Sequence, residues 1–283
     1  MTVIETTRFP RLSRAGHRLG GGFDNLGDHA LFFWRALLST PRALTQYPKE
    51  TLRLIAEIAM GTGALAVIGG TVVIVGFLTL ATGGVIAVQG FSSLTDVGVE
   101  ALTGFFAAFI NVRIAAPVIA GIGLAATIGA GATAQLGAMR VSEEIDALEV
   151  MAIDSITYLV STRIVAGMIA VIPLYSLAVI ASFLASRFAT VSIYGQSGGV
   201  YDHYFSTFLI PSDILWSFVQ AICMAITIML IHTYYGYNAA GGPAGVGSAV
   251  GNAVRTSLIA VVTVTLLVSL AIYGGDGNFN LSG

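Results

Sequence analysis

The sequence predicts an all-α polytopic membrane protein. Five transmembrane helices are expected, with an N-terminal interfacial helix and a short cytoplasmic helix between the second and third crossings. Three observations predict this. The 283 residues are 55% hydrophobic and 10% charged, with a mean hydropathy of +0.85, a composition that belongs to bilayer-embedded chains. The apolar residues fall in runs of membrane length without acidic or basic side chains. Eight of the thirteen basic residues (Arg8, Arg11, Arg14, Arg18, Arg35, Arg42, Lys49 and Arg53) precede the first of those runs. By the positive-inside rule the N-terminus is then cytoplasmic, and five crossings leave the C-terminus outside.

Residues 1–22 read as a basic cytoplasmic tail ending in Gly20-Gly21-Gly22, with no apolar stretch of the kind a cleaved signal requires. Residues 23–47 read as an amphipathic interfacial helix. Leu26, Ala30, Phe33, Trp34 and Leu37 lie on one side, Asp24, Asp28, Arg35 and Ser39 mostly on the other, and Pro41 is expected to end it. A packed cytoplasmic helix is the alternative. Pro48 suits the first turn of the next helix, which opens the membrane domain, 48–283.

From Ile58 to Thr95 there is no acidic or basic residue. Thirty-eight residues exceed the roughly 20 that cross a bilayer, so the run predicts one span and an extra segment, broken at Gly83-Gly84. Gly69, Gly76, Gly83 and Gly90 recur every seventh residue and form a strip for close helix approach. The second run, Gly104 to Met139, contains Arg113 and Pro117. As one helix it would measure about 54 Å, so a bend near Pro117 and a projection beyond the cytoplasmic face are expected. Gly121, Ala125, Gly129, Thr133 and Gly137 make a second small-residue ridge. A third run follows from Ile164 to Ser186, capped by Asp154 or Ser155 and anchored by Arg163. Arg187 to Pro211 reads as external, Ile214 to Tyr235 as the fourth span, Gly241 to Gly247 as a cytoplasmic turn, and the fifth span ends near Ile272.

Between the second and third runs lies a dense polar island. Arg140, Glu143, Glu144, Asp146, Glu149 and Asp154 are concentrated there. Ser142 is placed to cap a helix over 141–152, with Glu143 and Glu144 complementing its dipole. Val141, Ile145, Leu148 and Ala152 form an apolar stripe, with Met151 beside it, while Ser142, Asp146 and Glu149 face the other way. A solvated connector would be as acidic but needs no such stripe, which points to a partner.

Catalytic chemistry is poorly represented. Gly242, Gly245 and Gly247 lack the Lys-Ser/Thr pair of a phosphate-binding loop and read as a turn between helices. His17, His29, His203 and His232 are scattered without metal-ligand spacing, and no metal site is expected. Cys223 is the single cysteine, so no internal disulfide forms. The basic residues are accounted for by topology, so no nucleic acid is expected as a partner. All fifteen acids read as lying outside the spans, whereas ion-coupled carriers place carboxylates inside them. Transport would therefore draw its energy through the acidic helix, docked on a cytoplasmic motor. Arg113 is read as snorkelling to the outer surface, or as contacting an anionic lipid headgroup.

The region Pro117 to Met151 resembles the signature of MlaE/YrbE-type permeases, the membrane subunits of lipid-transporting ABC systems that work with MCE-domain proteins. The matching residues are Pro117, Val118, Gly129, Leu136, Gly137, Met139, Arg140, Val141, Glu143, Ile145, Asp146, Ala147, Leu148 and Met151, followed by Asp154 to Leu159. Gln89-Gly90 and the Tyr234-Tyr-Gly to Gly247 region extend the likeness over most of the chain from about residue 50. Thr127, Gln135 and Ala244 depart from it where the family carries Arg, Glu and Glu. Those missing charges, with Leu102-Thr-Gly-Phe and Asn111-Val-Arg113, are similar to the B-type YrbE subunits of actinobacterial Mce systems. The resemblance implies a heterodimer with an A-type YrbE sister chain, an ABC ATPase dimer that holds ATP and magnesium, MCE-domain proteins, and a lipid substrate passing between the two permeases in the plasma membrane. It implies no cofactor in this chain. Glu143, Glu144, Ile145, Asp146, Ala147, Leu148 and Met151 would form the coupling helix. A non-transporting scaffold for an envelope complex is the alternative, and a membrane-embedded enzyme ranks third. Asp146→Arg or Leu148→Asp is expected to uncouple lipid movement while leaving assembly of the outer components intact; transport that persists with both changes would favour the scaffold.

Overall fold

The computed structural model describes residues 10–60 and 65–273, with side-chain surroundings for 27–57 and 71–272. The described residues form helices and connecting turns, without strands. Five helical segments are long and apolar enough to cross a membrane: Thr71–Thr95, Glu100–Val141, Ile156–Ile193, Pro211–Tyr237 and Gly242–Ile272. The expected five-span architecture is observed. Several junctions differ from expectation, each for an identifiable physical reason.

Helix α1, Pro10–Gln46, runs straight through Pro41. A proline inside a helix removes one backbone bond, a loss of about 3 kcal/mol or more when nothing compensates. Here Phe32, Ala36, Ser39 and Ala43 are buried on both sides of the proline, and the Ser161 hydroxyl donates to the Ala36 carbonyl at 2.9 Å. Tertiary packing carries the helix past its breaker. The buried face is thus Phe32, Ala36, Ser39 and Ala43, whereas Leu31, Trp34 and Leu38 face outward. Helix α2, Pro48–Met60, begins at its proline as expected, and Arg53 pairs with both Glu50 and Glu57 along its surface. The Arg53 guanidinium holds the Glu50 carboxyl below its ordinary range.

Helix α3, Leu65–Thr95, is continuous through Gly83-Gly84. The expected break is absent because Gly83 serves close approach instead. A Cβ there would lie 2.5 Å from the Ser182 carbonyl oxygen, and the Ser186 hydroxyl donates to the Gly83 carbonyl at 2.8 Å. Gly83→Val is expected to lower stability by about 1–3 kcal/mol through overpacking, read as a lower midpoint of thermal unfolding in detergent; Gly84→Ala, at a position with nothing within 4 Å, should leave the midpoint near that of the parent.

The second span is built from α4 Thr103–Ile110, α5 Ala116–Leu124 and α6 Ala130–Val141, joined by wide π-helical turns at Asn111–Ala115 and Ala125–Gly129. The first wide turn lies just ahead of Pro117, where the proline ring would otherwise meet the preceding turn's carbonyl. The accommodation at Pro117 is therefore a widened turn in a continuous helical segment. Helix α7, Glu144–Val150, is the short polar element. The third span comprises a π segment Ile156–Ser161, α8 Thr162–Phe188 and a second π segment Ala189–Ile193. Helix α9, Gly198–Phe208, lies against α4, where a Cβ on Gly104 would reach within 2.4 Å of the Tyr201 carbonyl oxygen. Burial pushes the Tyr201 phenol above its ordinary pKa.

Helix α10, Pro211–Tyr237, and α11, Gly242–Tyr273, form a tight hairpin. The expected Gly241–Gly247 turn is shorter, because residues from Gly242 onward are already helical. Gly241 and Gly242 adopt φ of 90° and 70°, which L side chains rarely tolerate. A Cβ on Gly245 would sit 1.8 Å from the Ala240 carbonyl oxygen. The glycines close a hairpin, and their spacing has no phosphate-cradling role to explain.

The core gathers α5, α8, α10 and α11 around Leu124, Tyr175, Met224, Ile228 and Val261. Polar bonds tie the spans within it. Asn111 donates to the Ser186 hydroxyl at 2.9 Å. His232 is fully buried, with Nδ1 2.7 Å from the Thr133 hydroxyl and Nε2 2.9 Å from that of Ser257. The Ser257 hydroxyl also donates to the Ala253 carbonyl. His232, on α10, thereby clasps α6 to α11. Among the described residues no three His, Cys, Asp or Glu side chains come together as metal ligands would.

Candidate functional site

The polar island folds as a clamped projection. The chain leaves α6 at Val141 and turns through Glu143, which adopts a left-handed φ of 60°, before α7 begins at Glu144. Ser142 is not the cap that its residue type suggests. Its hydroxyl donates back to the Ala138 carbonyl at 3.0 Å and to the Glu144 carboxylate at 2.9 Å. Ala152 closes the far end with a φ of 58°. A left-handed L-residue costs about 1 kcal/mol, so Ala152→Gly is expected to stabilise the fold by about 0.5–1 kcal/mol. A small rise in the thermal midpoint would show it; a fall would mean that the Ala152 methyl group is needed.

Much of the expected apolar stripe is covered by the chain itself. Ile145 is fully buried and Leu148 half-buried, packed with Leu136, Leu159, Met139, Tyr158 and Tyr237. These two residues bind α7 to its own bundle. What remains outward is Val141 and Met151 (61% exposed) from that stripe, joined by Val150 (89% exposed), which it did not include. Periodicity finds a stripe but does not tell which neighbour covers it.

Polar contacts hold the projection as firmly. Arg140 donates to Asp146 at 2.6 Å, an exposed pair that links the end of α6 to α7. Glu149 accepts from the Ser155 hydroxyl at 2.8 Å and from the Tyr237 hydroxyl at 3.1 Å, and the two hydroxyls lie 2.8 Å apart. Asp154 caps the third span, with Oδ1 accepting from the Ile156 and Thr157 amides and Oδ2 from the Thr157 hydroxyl. Glu143, Glu144 and Ala147 stay exposed. Tyr237 is a site residue that periodicity gave no reason to single out. Ser155, offered as a cap for the third run, bonds Glu149 and Tyr237 instead, and Asp154 is the cap. Mechanically, a load on the tip of α7 reaches the second, third and fourth spans together.

The predicted packing glycines divide. Gly121 faces Met224 and Val261, Gly129 faces the His232 ring, and Gly137 faces Val246 and Ala239, each with room for no added methyl group without movement. Gly76 has nothing within 4 Å, and the surroundings of Gly69 lie outside the described residues.

Arg113 does not snorkel. It is buried, and its Nε and Nη2 both donate to Asp213 Oδ2, at 3.1 and 2.7 Å. Its guanidinium lies 4.1 Å from the centre of the Phe109 ring. Asp213 is therefore an exception to the expectation that every acid lies outside the spans, since it is buried in the first turn of α10 within Pro211–Tyr237.

Comparison with known proteins places this geometry in context. A family model described as permease MlaE matches residues 60–271. A probable ABC transporter permease protein of Rickettsia bellii is 32% identical over 155 residues, covering 54% of this chain and 59% of that protein. The chloroplastic protein trigalactosyldiacylglycerol 1 of Arabidopsis thaliana is 29% identical over 166 residues, 59% of this chain and 47% of the relative. A probable ABC transporter permease protein of Synechocystis is 27% identical over 166 residues, with 59% and 63% covered. The matched segment thus spans about half to three-fifths of the length of these relatives.

Proposed function

Because this chain belongs to the MlaE permease family, we propose that it is the membrane subunit of an ABC transporter that moves lipid, driven by ATP hydrolysis on a separate chain. The observation that carries the reading is the projection itself. The end of helix α7 leaves Val150 and Met151 exposed while Ile145, Leu148 and Glu149 hold its base to the bundle. Such an element transmits force and has no catalytic equipment. The ATPase dimer binds ATP and magnesium, and residues 141–152 of this chain receive its movement.

The finer assignment is a B-type YrbE subunit of an Mce system in the plasma membrane, with a cytoplasmic N-terminus. It pairs with an A-type YrbE sister chain and delivers lipid to, or takes it from, MCE-domain proteins. Its support is the wording around Leu102–Phe105 and Asn111–Arg113, and the absence of charge at Thr127, Gln135 and Ala244. A glycerolipid in the name of the Arabidopsis relative is compatible with lipid as the cargo class. The broad apolar faces of the first and fifth spans, with Phe77, Val85, Ile259, Val262 and Leu267 exposed, suit contact with acyl chains and with a sister permease.

The test is co-purification of the chain with its native partners, followed by reconstitution in vesicles and measurement of fluorescent phospholipid transfer. Transfer that requires hydrolysable ATP supports the reading. An intact assembly with MCE-domain proteins that moves no lipid with ATP would leave a scaffold in its place.

A further inference from the structure

We propose that the groove between α1 and the start of the third span is a binding site for the phosphate of an anionic membrane phospholipid. The groove has a volume of about 350 Å³ and is lined by Arg35, Leu38, Ser39 and Arg42 of α1 together with Asp154 and Ile156. Both arginines are exposed, and among the described residues neither joins the ion pairs formed by Arg53, Arg113, Arg140 and Arg187. Asp154 is a near neighbour but is already committed, since its two oxygens accept three hydrogen bonds at the start of the third span. Two guanidinium groups against one such carboxylate leave the groove with a net positive charge. Arginine's planar fork suits a phosphate diester.

Position selects a lipid over a free anion. The groove lies where the polar loop ends and the third candidate span begins, at Ile156, which is the depth expected of headgroups. Residues 31, 35, 38 and 42 recur at helical spacing, so Leu31 and Leu38 alternate with the two arginines along one stripe, and Trp34 adjoins it. Leu31, Trp34 and Leu38 are 58%, 63% and 60% exposed. Exposed apolar residues interleaved with arginines and flanked by tryptophan match the chemistry of a charged lipid at an interface. The adjoining buried face of α1 is fixed to the bundle by the Ser161 to Ala36 bond, so the stripe is presented in a set orientation. The bound headgroup would fasten α1 to the start of the third span.

The chain has two tryptophans, so a Trp216→Phe background leaves Trp34 as the reporter beside the groove. In lipid nanodiscs, brominated phosphatidylglycerol should quench Trp34 at a concentration about tenfold lower than brominated phosphatidylcholine. Arg35→Gln with Arg42→Gln should erase that preference while quenching by phosphatidylcholine persists. Arg53→Gln, on α2, should leave it intact. If the double variant does not fold, the unaltered chain still decides, because its preference must fade as salt rises. Equal quenching by the two lipids would overturn the proposal. So would loss of the preference when inorganic phosphate replaces chloride at constant ionic strength, which would make the occupant a free anion. Unchanged lipid selection in a double variant that no longer retains the ATPase would assign the arginines to a protein partner and overturn it as well.

Discussion

Arg113→Leu is expected to destabilise the protein by about 3–5 kcal/mol, the largest effect of any single substitution considered for this chain. The cause is the partner left behind. Asp213 is buried, with its Oδ2 accepting two bonds from the guanidinium, and removal of the arginine leaves an uncompensated carboxylate between the second and fourth spans. The loss should appear as a large fall in the unfolding midpoint in detergent, and as reduced yield in the membrane. Asp213→Leu alone should be nearly as damaging, because it strands a cation. The double replacement Arg113→Leu with Asp213→Leu should recover most of the stability, since a well-packed apolar pair often replaces a buried ion pair at little cost. If each single change costs less than about 1 kcal/mol, the pair is not buried as described.

The second large effect concerns α7. Val150→Asp with Met151→Asp should reduce lipid-coupled ATP hydrolysis by tenfold or more, with no loss of thermal stability. Both side chains are exposed at the end of the projection, so their replacement costs the isolated permease little, whereas two carboxylates in an apolar contact would prevent docking. Ile145→Asp should behave differently. It places a charge among Leu136, Leu159 and Tyr237 and should unfold the projection before any question of coupling arises. The contrast corrects the simpler expectation from periodicity. Asp146→Arg removes the internal pair with Arg140, and Leu148→Asp disturbs a half-buried contact, so neither isolates docking as cleanly as the Val150 and Met151 changes. Coupled hydrolysis that survives in the Val150/Met151 double variant would remove α7 from the path of force.

The parts of this molecule that were legible in advance are those set by local chemistry. Runs without charge identify five spans because every polar group in a bilayer must be satisfied within its own segment. Pro48 marks a helix start because its missing amide is harmless there. The density of acids between the second and third spans marks the projection. What escaped were outcomes decided by neighbours. Pro41 and Gly83 have the local character of breakers, yet packing against Ser161 and Ser182 keeps α1 and α3 continuous. Arg113 and Asp213 are 100 residues apart, and no spacing rule pairs them. Ser142 has the residue type of a cap, but the turn at Glu143 points its hydroxyl back into α6. Val141, Ile145, Leu148 and Met151 all read as one apolar element, and only the position of Leu136, Leu159 and Tyr237 separates the buried base from the exposed part; Val150, outside that stripe, is exposed beside Met151.

The most direct measurement is a site-specific cross-link at that tip. Cys223 is the single cysteine, so Cys223→Ser with Val150→Cys leaves one thiol, at the end of α7. In the assembled complex, a short bifunctional reagent at this thiol should join the permease to its nucleotide-hydrolysing partner, with a yield that changes between nucleotide-free and ATP-bound states. A thiol that reacts freely with water-soluble label in both states, and never joins a nucleotide-binding chain, would contradict the account.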